Sequence, residues 1–441
     1  MKPQEFINQL YDAAQKDGIK EFAIGYTYGS NSRVEAYEQE IAKRTDNEKQ
    51  AVMLQVKIGK NIGGFGCGEL KAENIPLMIQ NAKENAELID CEEENFFHDG
   101  SGEYLKAEKY QPLPEFEKLD IEKFALDVEK ACYALDKRVE KVIAVSVGSS
   151  ESRSILKNSL GLDIEEKTRA ASASVFLSVK ENEQVRTGGE AILFDKPEHF
   201  NPEYIAQKAV ERAVKKLNGK DVASGRAKVV FDKETMADVL DLAVGLFSAN
   251  SVNEKRSKLA GKIGELVAAP CVTLIDNPFI KGGYGTRSFD AEGYPAQKNV
   301  VVQNGVLKMF FHNLRTAHLE GVKSTGNGSG GRGISTGNFY LVAGEYSKDE
   351  ILKAAGKGIY INRLNGMHAG YTPVSGDFSF GAEGFLIENG KLGQTLNQFT
   401  VSGNIYQLLL DIEMIGNDLS FENNSTGAPT VLVKELAVSC E

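Results

Sequence analysis

"VMLQVKIG" (52–59) sets Leu54, Val56 and Ile58 against Gln55 and Lys57, a period of two that predicts a strand with one face buried and one in water. The same form returns at "ASVFLSVK" (173–180), where Val175, Leu177 and Val179 share a face. The surroundings return with it. Before the first stretch stand the helical "EFINQLYDAAQKDG" (5–18) and an apolar run from Phe22 to Tyr28; after it come Gly63, Gly64 and the helical "ENIPLMIQNAKENAELI" (73–89). The second follows the helical "DIEKFALDVEKACYAL" (120–135) and the strand "KVIAVSVG" (141–148), and precedes Gly188, Gly189 and "YIAQKAVERAVKKL" (204–217). Each copy reads helix, antiparallel meander, helix, with a Ser-x-Ser-Arg corner at 30–33 and at 150–153. Two such units predict one curved sheet with helices on one face, joined by the acidic, proline-bearing stretch 92–118.

"NGKDVASGRA" (218–227) separates this duplicated half from the rest, which predicts two domains, 1–222 and 223–441. After the break Asp232 is placed to cap a helix on which Met236, Val239, Leu240, Ala243 and Phe247 fall on one face. "VVVQNGVLKMFF" (300–311) and "FLIENGKLGQTL" (385–396) each set Asn-Gly between apolar runs, the signature of a type I′ hairpin. The expected fold class is α+β throughout. A duplicated helix–meander–helix N-terminal domain precedes a C-terminal domain rich in antiparallel sheet.

Composition limits the function classes. The 441 residues are 41% hydrophobic and 26% charged, ordinary for a globular protein. The net charge of −11, with no stripe of lysine and arginine interleaved with aromatics, disfavours direct contact with nucleic acid. The opening residues lack an apolar h-region, so no signal peptide is expected. No run of about 18 apolar residues predicts a membrane-spanning helix. Cys67, Cys91, Cys132, Cys271 and Cys440 are scattered and never form CxxC, which suits a reducing cytoplasm and neither a disulfide framework nor a cysteine zinc site.

The chemical motifs are weak when taken singly. His98, His199, His312, His318 and His368 include no pair four apart, so no helix offers two imidazoles to one ion. "GISTG" (333–337) has the letters of a nucleophile elbow around Ser335, but a glycine-rich loop precedes it and a strand-like run follows. "GNGSGG" (326–331) lacks the strand and helix that a pyrophosphate site needs. "GMHAGYTPVSGDFSFGAEGF" (366–385) gathers His368, Ser375, Asp377, Ser379 and Glu383 among five glycines. His368 and Asp377 stand nine positions apart, with a Tyr-Thr-Pro turn between them. The favoured reading is a bend followed by an edge strand, with Asp377 bonding its own backbone and glycines admitting another backbone.

Four longer stretches change the picture: 264–278, 285–328, 373–392 and 401–424, among them "PVSGDFSFGAEGFLIENGKL" and "VSGNIYQLLLDIEMIGNDLSFENN". In order and spacing they resemble the C-terminal domain of the TldD/PmbA metallopeptidase family. That resemblance implies a peptidase built from two related subunits and acting on peptides and unfolded segments. In the TldD-type subunit zinc is held by an HExxxH helix and a cysteine in a late loop, leaving one position for water and the glutamate as general base. Here "VLDLAVGLFSANSVNEKRSKLA" (239–260) has no histidine, with 240–245 where the ligands would stand. "GNDLSFENNSTGAPTVLV" (416–433) has no cysteine, and Cys440 lies beyond it. The chain is thus similar to the PmbA (TldE) type of subunit, and the expectation is no catalytic residue, no metal and no cofactor.

That resemblance implies a TldD-like partner in a heterodimer, or a homodimer through the same surface. The ligand would be an extended peptide added to a sheet edge, with His368, Ser375, Asp377 and Ser335 as peptide-contact or structural positions. Two other classes remain open. One is an independent hydrolase using Ser335 or the Asp377 region. The other is a regulator of DNA gyrase, a label such proteins carry, which the acidic charge opposes.

Overall fold

A computed structural model describes residues 1–89, 93–331, 333–422 and 424–440; Cys91 lies outside them. The first repeat comprises α1 (Pro3–Lys16), β1 (Glu21–Tyr37), β2 (Glu40–Ile58), β3 (Asn61–Cys67) and α2 (Ile75–Leu88). The second comprises α3 (Ile121–Leu135), β4 (Val139–Asn158), β5 (Asp163–Glu181), β6 (Gln184–Leu193) and α4 (Pro202–Val214). Their strands join in one antiparallel sheet in the order β3, β2, β1, β4, β5, β6. Phe22, Ile24 and Tyr26 of β1 are buried with α1 and α2, while Val34 and Ala36 of the same strand are buried in the core of α3 and α4. All five residues are even-numbered, so both helix pairs lie on one face of the sheet, as the repeat predicts.

The expected corners are not corners. Residues 30–33 and 150–153 sit mid-strand where β1 and β4 pair, with Tyr28 opposite Arg153 and Arg33 opposite Gly148. A difference of 120 converts one pair into the other, so the local dyad of the duplication runs through these serines. Gly148 permits the close approach: a Cβ there would lie 2.4 Å from the Ser32 carbonyl oxygen. The true β1–β2 turn is at Glu38 and Gln39, both at positive φ without being glycine. The Gln39 amide donates to Glu129 Oε2 at 3.1 Å, a fully buried carboxylate on α3, so a tertiary contact supports a turn that its own letters do not announce.

The remainder of the chain builds two more sheets. It runs β7 (Gly225–Phe231), α5 (Lys233–Ala243), α6 (Ala249–Asn253), β8 (Leu274–Asp276), β9 (Asn299–Gln303), β10 (Val306–Leu307) and α7 (Leu314–Glu320). Next come β11 (Phe339–Leu341), α8 (Lys348–Ala355), β12 (Gly358–Asn365), β13 (Asp377–Glu388), β14 (Lys391–Thr395) and β15 (Phe399–Asn404). The last elements are α9 (Ile405–Leu410), β16 (Ile412–Ile415), β17 (Thr426–Gly427) and β18 (Val431–Cys440). Strands β12, β7, β18, β15 and β13 pair in turn, and β13 pairs back onto β12, so five strands close on themselves. Strands β10, β9, β8, β11 and β17 form the smaller sheet, and α5 lies in the core that both sheets share. Both Asn-Gly hairpins form as predicted, with Asn304–Gly305 and Asn389–Gly390 at positive φ.

The break at 218–227 is stitched to the second half. The Lys220 amide donates to Thr395 O at 2.9 Å, Asn397 donates to Lys220 O at 2.8 Å, and Lys216 Nζ meets Glu383 Oε2 at 2.8 Å. The joining stretch also runs along the second half, where Tyr104 OH donates to Gly293 O and the Ala107 amide to Ser288 Oγ. Among the described residues no helix is long and apolar enough to cross a membrane.

Candidate functional site

The bend before β13 uses its polar letters on itself. The Gly376 amide closes a turn onto Thr372 O at 2.8 Å, and the Asp377 amide donates to Ser375 Oγ at 3.2 Å. Asn404, which caps α9, donates from Nδ2 to Asp377 Oδ1 at 2.7 Å and to Ser375 O at 2.9 Å. The bond from Asn404, then the one at Ser375, holds the Asp377 carboxyl below the usual carboxylate range. Asp377 therefore bonds a neighbouring side chain, where the sequence reading had it bonding its own backbone. His368 is exposed in the turn 366–370, and no hydrogen bond links it to Ser375 or Asp377 among the described residues. Ser379 meets Ser402 across the β13–β15 pair at 2.9 Å.

The strand that follows is not an edge. β13 pairs β15 through 377–382 and β12 through 381–387, because it closes the five-stranded ring. Its glycines admit a backbone, but the backbone is the chain's own. A Cβ at Gly384 would stand 1.9 Å from the Tyr360 carbonyl oxygen, and one at Gly370 would stand 2.2 Å from that of Ser379. Strand addition by a peptide at β13 is thereby ruled out.

Ser335 lies in a loop that leads into β11, with no helix after it, so the elbow geometry is not formed. Its amide donates to Asn327 O at 2.8 Å, and its carbonyl accepts from Arg287 at 3.1 Å. Arg287 also binds the carbonyls of Gly326 and Thr336. The "GNGSGG" letters thus belong to a loop drawn around a guanidinium and the buried Asp276–Asn327 pair.

A cavity of about 200 Å³ opens elsewhere, between α4, α5 and the loop before β17; its lining includes Arg212, Glu234, Asp238, Ser420 and Glu422. Asp232 caps α5, accepting from the Glu234 amide at 3.0 Å. Its second oxygen takes the hydroxyl of the buried Tyr360, which in turn accepts from Lys348 Nζ at 2.5 Å. With the helix so fixed, Met236, Val239, Leu240 and Ala243 face the core, while Glu234, Asp238 and Asp241 fall on another face at spacings of four and three.

The charges of the cleft are unevenly shared. Arg212 of α4 reaches Glu234 at 3.2 Å and Glu190 of β6 at 3.3 Å, and Lys233 pairs with Glu422. Burial first, then a hydrogen bond with Glu422, pushes Glu234 up to about 8. Burial also opposes ionisation of Glu422, but the bonds from Glu234 and Lys233 outweigh it and draw Glu422 down to about 2. One proton between two carboxyls produces such a split. Burial, with Asp241 nearby, lifts Asp238 to about 6. Carboxyls shifted in opposite directions inside a cleft mark a site where proton position matters. Their helical spacing is visible in the sequence, but Arg212 and Glu422 are brought in by tertiary contact alone.

A catalytic zinc ion of the kind the resemblance implies does not fit beside α5. Along 240–245 only Asp241 carries a donor side chain, and Thr426 Oγ1 binds it at 2.8 Å. Imidazole and thiolate are absent from that face. No group of three or more His, Cys, Asp or Glu side chains is arranged to hold a metal among the described residues.

Comparison with known proteins accords with this architecture. Residues 224–440 match the family model for the PmbA/TldA metallopeptidase C-terminal domain, and 110–217 match the central-domain model. A metalloprotease PmbA homologue of Buchnera aphidicola is 26% identical, over 72% of this chain and 70% of its own. Matches to curated relatives cover between 48% and 86% of those proteins' lengths. A Thermotoga maritima crystal structure described as a modulator of a DNA gyrase is 33% identical, with a TM-score of 0.90 over 99% of this chain and 100% of that one. TldE from Thermococcus kodakarensis shares the fold at 22% identity, with a TM-score of 0.86 over 98% of this chain and 100% of that one.

Proposed function

The chain belongs to the PmbA/TldD metallopeptidase family, and on that premise we propose that it is the non-zinc subunit of a two-subunit peptidase. In this reading it completes a chamber with a TldD-like partner, or pairs with itself when alone, and helps to hold extended peptide for proteolysis or maturation. The observation that carries the reading is α5. Its 240–245 stretch offers leucine, alanine, valine, glycine and one aspartate, Asp241, already bonded by Thr426, where a zinc enzyme of this design needs imidazoles and a general base. The cleft beside it keeps a space of about 200 Å³ but lines it with carboxylates and one guanidinium.

Ser375 and Asp377 serve the bend, and Ser335 serves its loop through its backbone. His368 is exposed, as is Asp377, and of the two it is the side chain not engaged in the bend with which a peptide could interact. A cytoplasmic setting suits the scattered thiols. The test is reconstitution. The chain mixed with a TldD-type subunit should gain EDTA-sensitive hydrolysis of an unfolded peptide that neither shows alone. Equal activity of the TldD-type subunit with and without this chain would refute the reading.

An independent hydrolase centred on Ser335 is less well supported, because among the described residues no hydrogen bond joins a base to that serine's hydroxyl and a strand, not a helix, follows it. A gyrase-linked role is suggested by what the Thermotoga structure is called. The net charge of −11 argues that any such role would not run through direct DNA contact.

A further inference from the structure

The serines near the β1–β4 crossing line a space of their own. Val34, Ala36, Val145, Val147, Ala173 and Val175 are buried in the core of α3 and α4, so their neighbours Arg33, Ser146, Ser172 and Ser174 lie on the opposite, helix-free face of the sheet. There a cavity of about 130 Å³ opens, lined by Asn31 and Arg33 of β1, Ser146 and Ser150 of β4, and Ser172 and Ser174 of β5. It falls below the roughly 300 Å³ of the smallest drug-sized pockets, so it suits a single polar group. Ser146 is only 8% exposed, and among the described residues no hydrogen bond engages its hydroxyl. We propose that this cavity is an oxyanion site, taking a phosphate or a carboxylate group between the Arg33 guanidinium and the serine hydroxyls.

The lining selects the sign of the ligand. Each serine hydroxyl and the Asn31 amide can donate, and the guanidinium adds charge-assisted bonds, the stronger kind. No carboxylate lines the cavity among the described residues, although the chain as a whole carries a net charge of −11. Hydroxyl oxygens could also face a cation, but Arg33 repels one. The competitor is Glu35, opposite Ser146 in the β1–β4 pair. It meets Arg33 at 3.5 Å, while Lys43 stands across from it on β2. Arg33 stays half-exposed, so a ligand can displace that contact. The duplicated fold does not itself demand these hydroxyls. With Leu54 and Val56 aligned on Val175 and Leu177, the first repeat has Ala51 and Met53 where the second has Ser172 and Ser174.

The site does not depend on the subunit reading, and phosphate binding by the lone chain tests it without a partner subunit. Calorimetric titration with inorganic phosphate, near neutral pH and at constant ionic strength, should show saturable binding of a single phosphate. Arg33→Ala should weaken it about tenfold, Ser146→Ala about threefold, and Glu35→Gln, which frees the guanidinium, should tighten it about threefold. A gain in Glu35→Gln cannot come from misfolding. Absence of saturable binding, or equal affinity in the unmodified chain and Arg33→Ala, would overturn the proposal. A short peptide with a free C-terminus, and the same peptide amidated, then separate the sources of the oxyanion. Displacement of phosphate by the free acid alone assigns a peptide carboxylate, and displacement by neither assigns phosphate. Equal displacement by both would show that the cavity does not read charge, and would overturn the proposal as well.

Discussion

The bend before β13 and the cleft beside α5 are both polar, yet they differ in how their groups are matched. At the bend Asn404 donates to Asp377 and Ser375, and Asp377 donates to Ser375, so donors and acceptors balance. In the cleft Arg212 is divided between Glu190 and Glu234, and Glu234 and Glu422 contend for a proton. Balanced groups fix a backbone. Unbalanced groups leave free energy that protonation, a ligand or a partner can change.

Substitution can break or sharpen this contrast. The largest effect should come from the bend's own strand. Gly384→Val places a side chain against the Tyr360 carbonyl oxygen and should lower unfolding free energy by about 3 kcal/mol, read by denaturant titration. Next is Asn404→Ala, which removes the α9 cap and both bonds to the bend; about 1–2 kcal/mol should be lost.

The cleft should respond to pH instead. Glu234 is raised in the folded state, so its stabilisation is complete below the usual carboxylate range and is lost as pH rises through about 8. Glu422 is lowered, so its contribution is present above that range and is lost as pH falls through about 2. Denaturation profiles of the unmodified chain should fall below those of Glu234→Gln as pH climbs from about 5 to 9. Parallel profiles would remove the distinction between the two regions. The smallest effect should be that of His368→Ala, within about 0.5 kcal/mol in stability. If His368 contacts peptide, the change appears only in the peptide affinity of the assembled complex.

Much of this architecture is legible in the letters. Alternation at Leu54–Val56–Ile58 and Val175–Leu177–Val179, repeated with flanking helices, is enough to place the sheet and its covered face. Asn304–Gly305 and Asn389–Gly390 announce their turns because type I′ geometry needs positive φ. What stays hidden depends on distant partners. The turn at Glu38–Gln39 is supported by Glu129, and the serines at 30–33 read as a corner because only the β1–β4 pairing shows that they cross a dyad. Likewise β13 looks like an edge until β12 and β15 are seen on either side of it. The missing imidazoles of α5 are plain in the sequence. The cleft is not, since Arg212, Glu234 and Glu422 are far apart along the chain.

The central claim is that α5 faces its cleft without a zinc site. Metal content of the lone purified chain after incubation with excess zinc and gel filtration tests it most directly, alongside peptide hydrolysis with and without EDTA. The account predicts far less than one zinc per chain and no EDTA-sensitive cleavage. About one tightly held zinc per chain, together with cleavage that EDTA abolishes, would contradict it.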